Sequence, residues 1–284
     1  MALDPPTSDL APIWRREVTL GCRWVPTPNQ AGVLGGDIRE GEAGGLFVMT
    51  DRWPRRRGYL KPRKKDPDPR CAPAAREKIC ADLAYEVGCR VPPVVLARRE
   101  NGPPGEETAC SVSLVMYPRQ FPWEQIKRFV QTGPPGTELI RERLPGAAAQ
   151  GLAFDTWVGQ TDHNDHPHNI IFGYVPNDDA TVPVADGDFV FLDFAMALGW
   201  HGTWAGEGSK TLGIAPFPPA MDAAIDRSIL GGILDRIENV SDDTISEIVH
   251  RIPDDYLVPE HRDVIAHGLR TRRGNVRALL ARTS

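Results

Sequence analysis

Seven residues near the middle of the chain could do chemistry together. Asp162, His163, Asp165, His166, His168 and Asn169 crowd one polar loop, and Asp193 ends an apolar run further on, in Phe189–Leu198. The loop interrupts the stretch FDTWVGQTDHNDHPHNIIF, which begins helix-like at Phe154 and leaves as an apolar strand at Asn169-Ile170-Ile171-Phe172. Phosphoryl transfer asks for such groups: a carboxylate to orient and deprotonate a hydroxyl, and oxygen ligands for magnesium, which uses few protein groups. Asp162 fits as the acceptor-side carboxylate, with Asp165 as the competing choice. Asn169 and Asp193 fit as the magnesium ligands. The apolar strands 169–175 and 189–193 are expected to pair as a hairpin and bring those two residues together. Three of the seven histidines lie in this loop, so a zinc or iron centre is the rival reading. No H-E-x-x-H accompanies it. A merely polar loop is the plain alternative.

Phosphate also needs a cation. Lys61 ends the predicted strand Gly58-Tyr59-Leu60-Lys61, downstream of the glycine-rich stretch Gly32 to Gly45 and of a strand at Leu46–Met49. Glycines such as Gly44 and Gly45 let backbone N–H groups approach phosphate oxygens closely. No fixed G-x-G-x-x-G is present, so a plain flexible loop is the alternative. Pro73 to Val87 reads as a helix, with Pro73 suited to its first turn and Gly88 to the position after its last. Ile79, Leu83 and Val87 form an apolar stripe, while Glu77 shares a face with Cys80, Ala81 and Ala84. A glutamate on such a face needs a cationic partner if the face packs inward. Lys61 is the candidate. Arg52, Arg55, Arg56, Arg57, Lys61, Arg63, Lys64 and Lys65 make a basic run. It is either a solvated hairpin tip or a dock for an acidic partner.

The remaining elements must position these groups. Residues 1–31 read as an irregular arm with one strand, Val18 to Trp24. Val91–Arg99 and Thr108–Tyr117 are strands flanking an Asn-Gly-Pro-Pro-Gly turn. From Pro122 the pattern becomes helical, at about 122–131, 137–143 and 146–160, and again at 219–238, 242–251 and 260–281, with Ser241 as an N-cap. At 284 residues, with 41% hydrophobic and 25% charged residues, the chain can bury a full core. A net charge of -5 argues against a polyanion such as nucleic acid as partner of the whole surface. The five cysteines are odd in number and lack a C-x-x-C pair, so reduced thiols in a cytoplasmic protein are expected. No apolar leader and no membrane-spanning run is read from the sequence.

Three places resemble the HipA-like branch of the protein-kinase-like superfamily, which is also similar to phosphatidylinositol 3-/4-kinases. They are Gly58-Tyr59-Leu60-Lys61-Pro62; Glu77 with Leu83-Ala84, Gly88 and Val91-Pro92; and Phe154-Asp155-x-Trp157-x-Gly159-x-Thr161-Asp162-His163 with Asn169 and Leu192-Asp193-Phe194. The resemblance spans roughly residues 40 to 200. It implies an α+β, two-lobed protein-kinase-like fold, with a small β-rich N-lobe over 15–118 and a mostly helical C-lobe over 119–284. It implies ATP with Mg2+ and transfer of the γ-phosphate to a hydroxyl acceptor, whether protein, lipid head group or small molecule. Lys61 would meet the phosphates, Glu77 would pair with Lys61, Asp162 would be the catalytic carboxylate, and Asn169 and Asp193 the metal ligands. Met116 and Tyr117, at the end of the strand that joins the lobes, are candidates for the adenine edge or plain core residues. Trp200, His201 and Trp204 either contact the acceptor or pack their own loop. Two departures stand out. Asp162 and Asn169 are seven apart where the family spaces them by five, and Asp193-Phe194-Ala195 replaces D-F-G. The other uses of such a chain are a nucleotide-binding pseudokinase that serves as an interaction module, and AMP transfer on the same fold.

Overall fold

The computed structural model describes residues 24–26, 46–50, 57–63, 71–98, 107–176, 184–199 and 217–281. Gly44, Gly45, Trp200, His201, Trp204 and most of the basic run lie outside the described residues.

Strands β1 (Trp24–Pro26), β2 (Leu46–Thr50), β3 (Arg57–Arg63), β4 (Val94–Arg98) and β5 (Glu107–Leu114) form one sheet in the order β1-β2-β3-β5-β4, antiparallel throughout. Lys61 lies on the central strand, opposite Ser111. Helix α1 (Pro73–Val87) packs on β3, β4 and β5. Its ends follow from its sequence: Pro73 opens it, and Gly88 closes it at φ 71, a left-handed conformation natural to glycine. The sequence predicts apolar faces on this helix, yet Arg76, Lys78 and Asp82 are also buried. Helices buried on nearly all sides carry charge only where it is paired, so periodicity understates their burial.

A second sheet of three strands runs β6 (Arg119–Pro122), β7 (Ile170–Pro176) and β8 (Val184–Phe191). The expected hairpin forms, with Ile170 opposite Phe191. Nothing in Arg119-Gln120-Phe121-Pro122 announces a strand. β6 exists because β7 offers it a free edge.

Helices α2 (Trp123–Thr132), α3 (Glu138–Val158), α4 (Pro219–Asp222), α5 (Arg227–Glu238), α6 (Asp242–His250) and α7 (Pro259–Ala281) make up the rest. The two helices predicted at 137–143 and 146–160 are one, with Pro145 inside it. A proline removes one intrahelical bond. Here burial of Leu144, Ala147, Ala148, Ala149, Phe154 and Trp157 along the helix outweighs it. Asp226 and Ser241 cap α5 and α6, accepting from Ser228 N at 2.8 Å and Thr244 N at 3.0 Å. The main core runs from α1 through α3 and β8 to α7, while Leu60, Val95, Val112 and Leu114 belong to a small separate cluster in the first sheet. Helix α1 therefore shares its core with the helical half of the chain. The side chains of Cys71, Cys80, Cys89 and Cys110 are buried. No described helix is long and apolar enough to cross a membrane.

Gly151 of α3 lies against the aromatic pair that backs β8. A Cβ there would stand 2.5 Å from the Phe191 ring and 2.7 Å from Phe217. Replacing glycine in a helix gains well under 1 kcal/mol for a β-branched residue, whereas overpacking costs about 1–3 kcal/mol. Gly151→Val is expected to lower the urea midpoint at unchanged slope; an equal or higher midpoint would refute this packing.

Candidate active site

The site begins at β3. Lys61 Nζ donates to Glu77 Oε1 of α1 at 2.6 Å and lies 3.2 Å from Asp193 Oδ1. The Glu77 side chain is 4% exposed, Lys61 18% and Asp193 33%, so the trio faces outward through Asp193. Burial disfavours the charged form of Lys61, but Glu77 and then Asp193 more than reverse this and hold it charged. Burial pushes the Glu77 carboxyl up to about 7 against the pull of Lys61. Burial also opposes ionisation of Asp193, but Lys61 outweighs it and holds that carboxyl below its ordinary range.

Helix α3 delivers the polar loop. It ends at Gly159, φ 67, whose N–H returns to Asp155 O. Arg272 of α7, itself buried, donates Nε to Thr156 O and Trp157 O at 3.0 Å each. Burial lowers its pKa to about 10. A guanidinium on the last carbonyls of α3 complements the negative end of the helix dipole and fixes where the loop starts. Trp157 Nε1 adds a bond to Leu269 O at 3.1 Å.

Inside the loop the histidines have partners. His163 is buried, with Nδ1 2.7 Å from Asp155 Oδ2 and Nε2 2.9 Å from Leu192 O. The Leu192 carbonyl can only accept, so Nε2 donates to it, and Nδ1 shares a proton with Asp155 Oδ2. Burial would lower its pKa, but the adjacent Asp155 carboxylate reverses this and the net shift is upward. Burial raises the Asp155 carboxyl, and His163 draws it only partly back. His166 Nδ1 lies 2.5 Å from Asp162 Oδ1. Among the described residues no group of three His, Cys, Asp or Glu side chains is arranged to hold a metal ion.

Asp162 is half-buried, whereas Asp165 is exposed and accepts from Asn164 Nδ2 at 3.0 Å. The seven-residue spacing to Asn169 is taken up by two successive turns, His166 N to Asp162 O at 2.8 Å and Asn169 N to His166 O at 3.0 Å. Asn169 is buried, and Leu192 N donates to its carbonyl at 2.8 Å, so the two loops meet through main chain beside Asp193. Gln160 reinforces the meeting. Its Nε2 donates to Asp193 O at 2.6 Å, and its Oε1 accepts from Thr161 N at 3.2 Å.

Asp193 stands at φ 59, a strained conformation for a side chain that is not glycine. Ala195 has no positive φ, so the missing glycine of the third position is not needed in this conformation. Phe194 anchors the turn edge-on against Phe154 and His163, with ring centres 5.5 and 5.2 Å apart. Arg76 Nη1 donates to Ala195 O at 3.1 Å, tying the turn to α1. Tyr117 is buried, and a Cβ at Gly173 of β7 would stand 2.2 Å from its ring, so it packs on the second sheet. Met116 beside it is half-buried.

Lys61, Glu77 and Asp193 are thus brought together, and Asn169 is joined to the residue before Asp193. The sequence reading assigns no task to Asp155, Gln160, Arg76 or Arg272. Asp155 carries the one legible signal, an acid inside the apolar run Phe154–Val158, the same cue that singles out Glu77.

No protein-family model and no curated protein sequence matches the chain. Among solved structures it is similar to the Helicobacter pylori proinflammatory kinase CtkA, with TM-score 0.52 and 10% identity over 83% of this chain and 90% of that one. Weaker likenesses are to WaaP in complex with acyl carrier protein (TM-score 0.37, 14% identity, 90% and 99% covered) and to hydra Fam20 with sugar (0.39, 13%, 86% and 84%). The first likeness shows the fold, which is the protein-kinase-like α+β fold, with N-terminal β-sheet and a helical C-terminal region.

Proposed function

We propose that the chain is an ATP-dependent phosphotransferase that moves the γ-phosphate to a hydroxyl acceptor, in the manner of HipA-like kinases. The observation that carries this reading is the lysine bridging two carboxylates, Lys61 at 2.6 Å from Glu77 and 3.2 Å from Asp193. A pair of this kind orients a lysine toward phosphate oxygens in kinases. Residues 15–118 would hold the nucleotide, and residues 119–284 would carry the loops that act on it. Gly44 and Gly45 keep the phosphate-approach role that their sequence suggests. Met116 is the better adenine-edge residue of its pair, because the Tyr117 side chain is committed to Gly173; Tyr117 would contribute main chain only.

The donor set suits magnesium. Asn169 offers an amide oxygen and Asp193 a carboxylate, both hard ligands, and their loops are tied by the Leu192 to Asn169 bond at 2.8 Å. Bound with ATP, the ion would neutralise charge that develops on the transferring phosphoryl group. Asp162 is our catalytic carboxylate. With Oδ1 fixed by His166 at 2.5 Å, the carboxylate is oriented to accept the proton of an incoming hydroxyl through its other oxygen. Asp165, exposed and bonded to Asn164, is too far toward solvent for that task.

The test is transfer from γ-labelled ATP with magnesium, to an added acceptor or to the protein itself. Asp162→Ala, which removes the proton acceptor, and Asp193→Ala, which removes a metal ligand, are each expected to reduce it at least about 100-fold, the former with a melting midpoint near wild type. Asp165→Ala should stay within about threefold, since its carboxylate is exposed and already bonded to Asn164 Nδ2. The reverse pattern would move the catalytic role to Asp165. Label passing only from the α-phosphate would make the chain an AMP transferase, and tight ATP binding with no transfer would make it a nucleotide-binding module. Metal analysis finding stoichiometric zinc would overturn the magnesium assignment.

A further inference from the structure

Helix α1 carries Glu77 toward Lys61 and, around its circumference, Lys78 and Asp82. Both of these are buried, and Lys78 Nζ donates to Asp82 Oδ1 at 3.0 Å. The other oxygen, Asp82 Oδ2, accepts from Arg251 Nη2 at 2.6 Å. Arg251 is the residue that ends α6, so this chain of charges joins the middle of α1 to the C-terminal helices. Two further attachments flank it. At the start of α1, Ala72 N donates to Tyr256 O at 2.8 Å, and Cys71 forms an antiparallel bridge with Leu257. Tyr256 Oη also donates to Ala97 O of β4 at 2.7 Å. At the end of α1, Arg236 of α5 donates Nε to Val87 O at 2.9 Å, taking up a carbonyl that a helix terminus leaves open. The start, middle and end of the helix are therefore each held by the segment from α5 to Leu257.

We propose that residues 227–257 are a built-in brace that fixes α1 with Glu77 against Lys61, and that Arg251 and Arg236 are positioning residues for phosphoryl transfer; this rests on the kinase reading of the site. Apolar packing alone would not do this. Hydrophobic contact is non-directional, and a helix can rotate or slide on a greasy surface at small cost. A buried carboxylate with two cationic partners has no such freedom, because any shift that parts Asp82 from Arg251 leaves a desolvated charge underpaired. The brace therefore sets both the rotation and the height of α1, the two quantities that decide whether Glu77 reaches Lys61. A shift of about an ångström suffices to spoil a catalytic geometry.

The test compares native-state hydrogen exchange and phosphate transfer in the protein, its Arg251→Met variant and its Arg251→Lys variant. Amides of α1 are expected to exchange at least about tenfold faster in Arg251→Met while those of α3 do not change, with kcat/KM for ATP falling about tenfold. Arg251→Lys, which keeps the charge, should recover most of both. Unchanged exchange in α1, equal acceleration in α1 and α3, or a loosened α1 with undiminished transfer would each overturn the brace. Should Arg251→Met fail to fold, Arg236→Gln, which removes a single bond at the end of the helix, is read in the same way. The two ideas fail separately. A wild type that transfers no phosphate sinks the kinase reading while the exchange data still decide the brace.

Discussion

The Lys61 ammonium sits largely out of water between Glu77 and Asp193, at 2.6 and 3.2 Å, and the other parts of the site are arranged around keeping it there. Taking an ion from water costs several kcal/mol even in a relaxed protein interior, and removing one partner of a buried pair typically destabilises by about 3–5 kcal/mol. Such a trio is poor evidence of surplus stability. It is good evidence of fixed geometry, because each charge tolerates burial only while the others stay put. The three residues come from a central strand, a helix and a loop, separated by 16 residues in one case and by nearly half of the chain in the other. Each element must therefore arrive in register before the charge is satisfied.

A second buried pair does for the loops what this trio does for the strand and the helix. His163 spans Asp155 in α3 and the carbonyl of Leu192, so the polar loop and the Asp193 turn are fastened through one ring. Gln160 repeats the fastening one residue further along, on Asp193 O. Around them Phe154, Phe191 and Phe194 exclude water, which strengthens every polar contact inside. The strain at Asp193, φ 59, persists because the Asp193 carbonyl, the Asp193 carboxylate and the Phe194 ring on the next residue are each held independently.

The fold was legible where local chemistry and tertiary packing agree. Pro73 and Gly88 bound α1 to the residue, and the apolar runs in 169–175 and 189–193 foretold the hairpin that carries Asn169 toward Asp193. Glu77 was legible by a physical argument: a charge on a small apolar face needs a partner, and Lys61 is that partner. The same argument was available at Asp155 and led nowhere, since its partner His163 looked like one of three equivalent histidines. Lys78 and Asp82 were assigned no role, because a helix buried on nearly all sides shows little periodicity. Pro145 read as a break, because a proline's local effect is plain and the packing that overrides it is not.

The sequence by itself determined which groups could do chemistry and which local elements would carry them, because helix ends, apolar runs and unpaired charge are written in neighbouring residues. Only the tertiary structure decided which groups do meet. It separated His163, buried under Asp155 and Leu192, from His166, bound to Asp162, and it left Asp165 in solvent while half-burying Asp162. It also set α1 into the core of the C-terminal helices, where Asp82 meets Arg251 across 169 residues. Contacts at that separation depend on how whole elements pack, and no pattern within a short window of the chain records them.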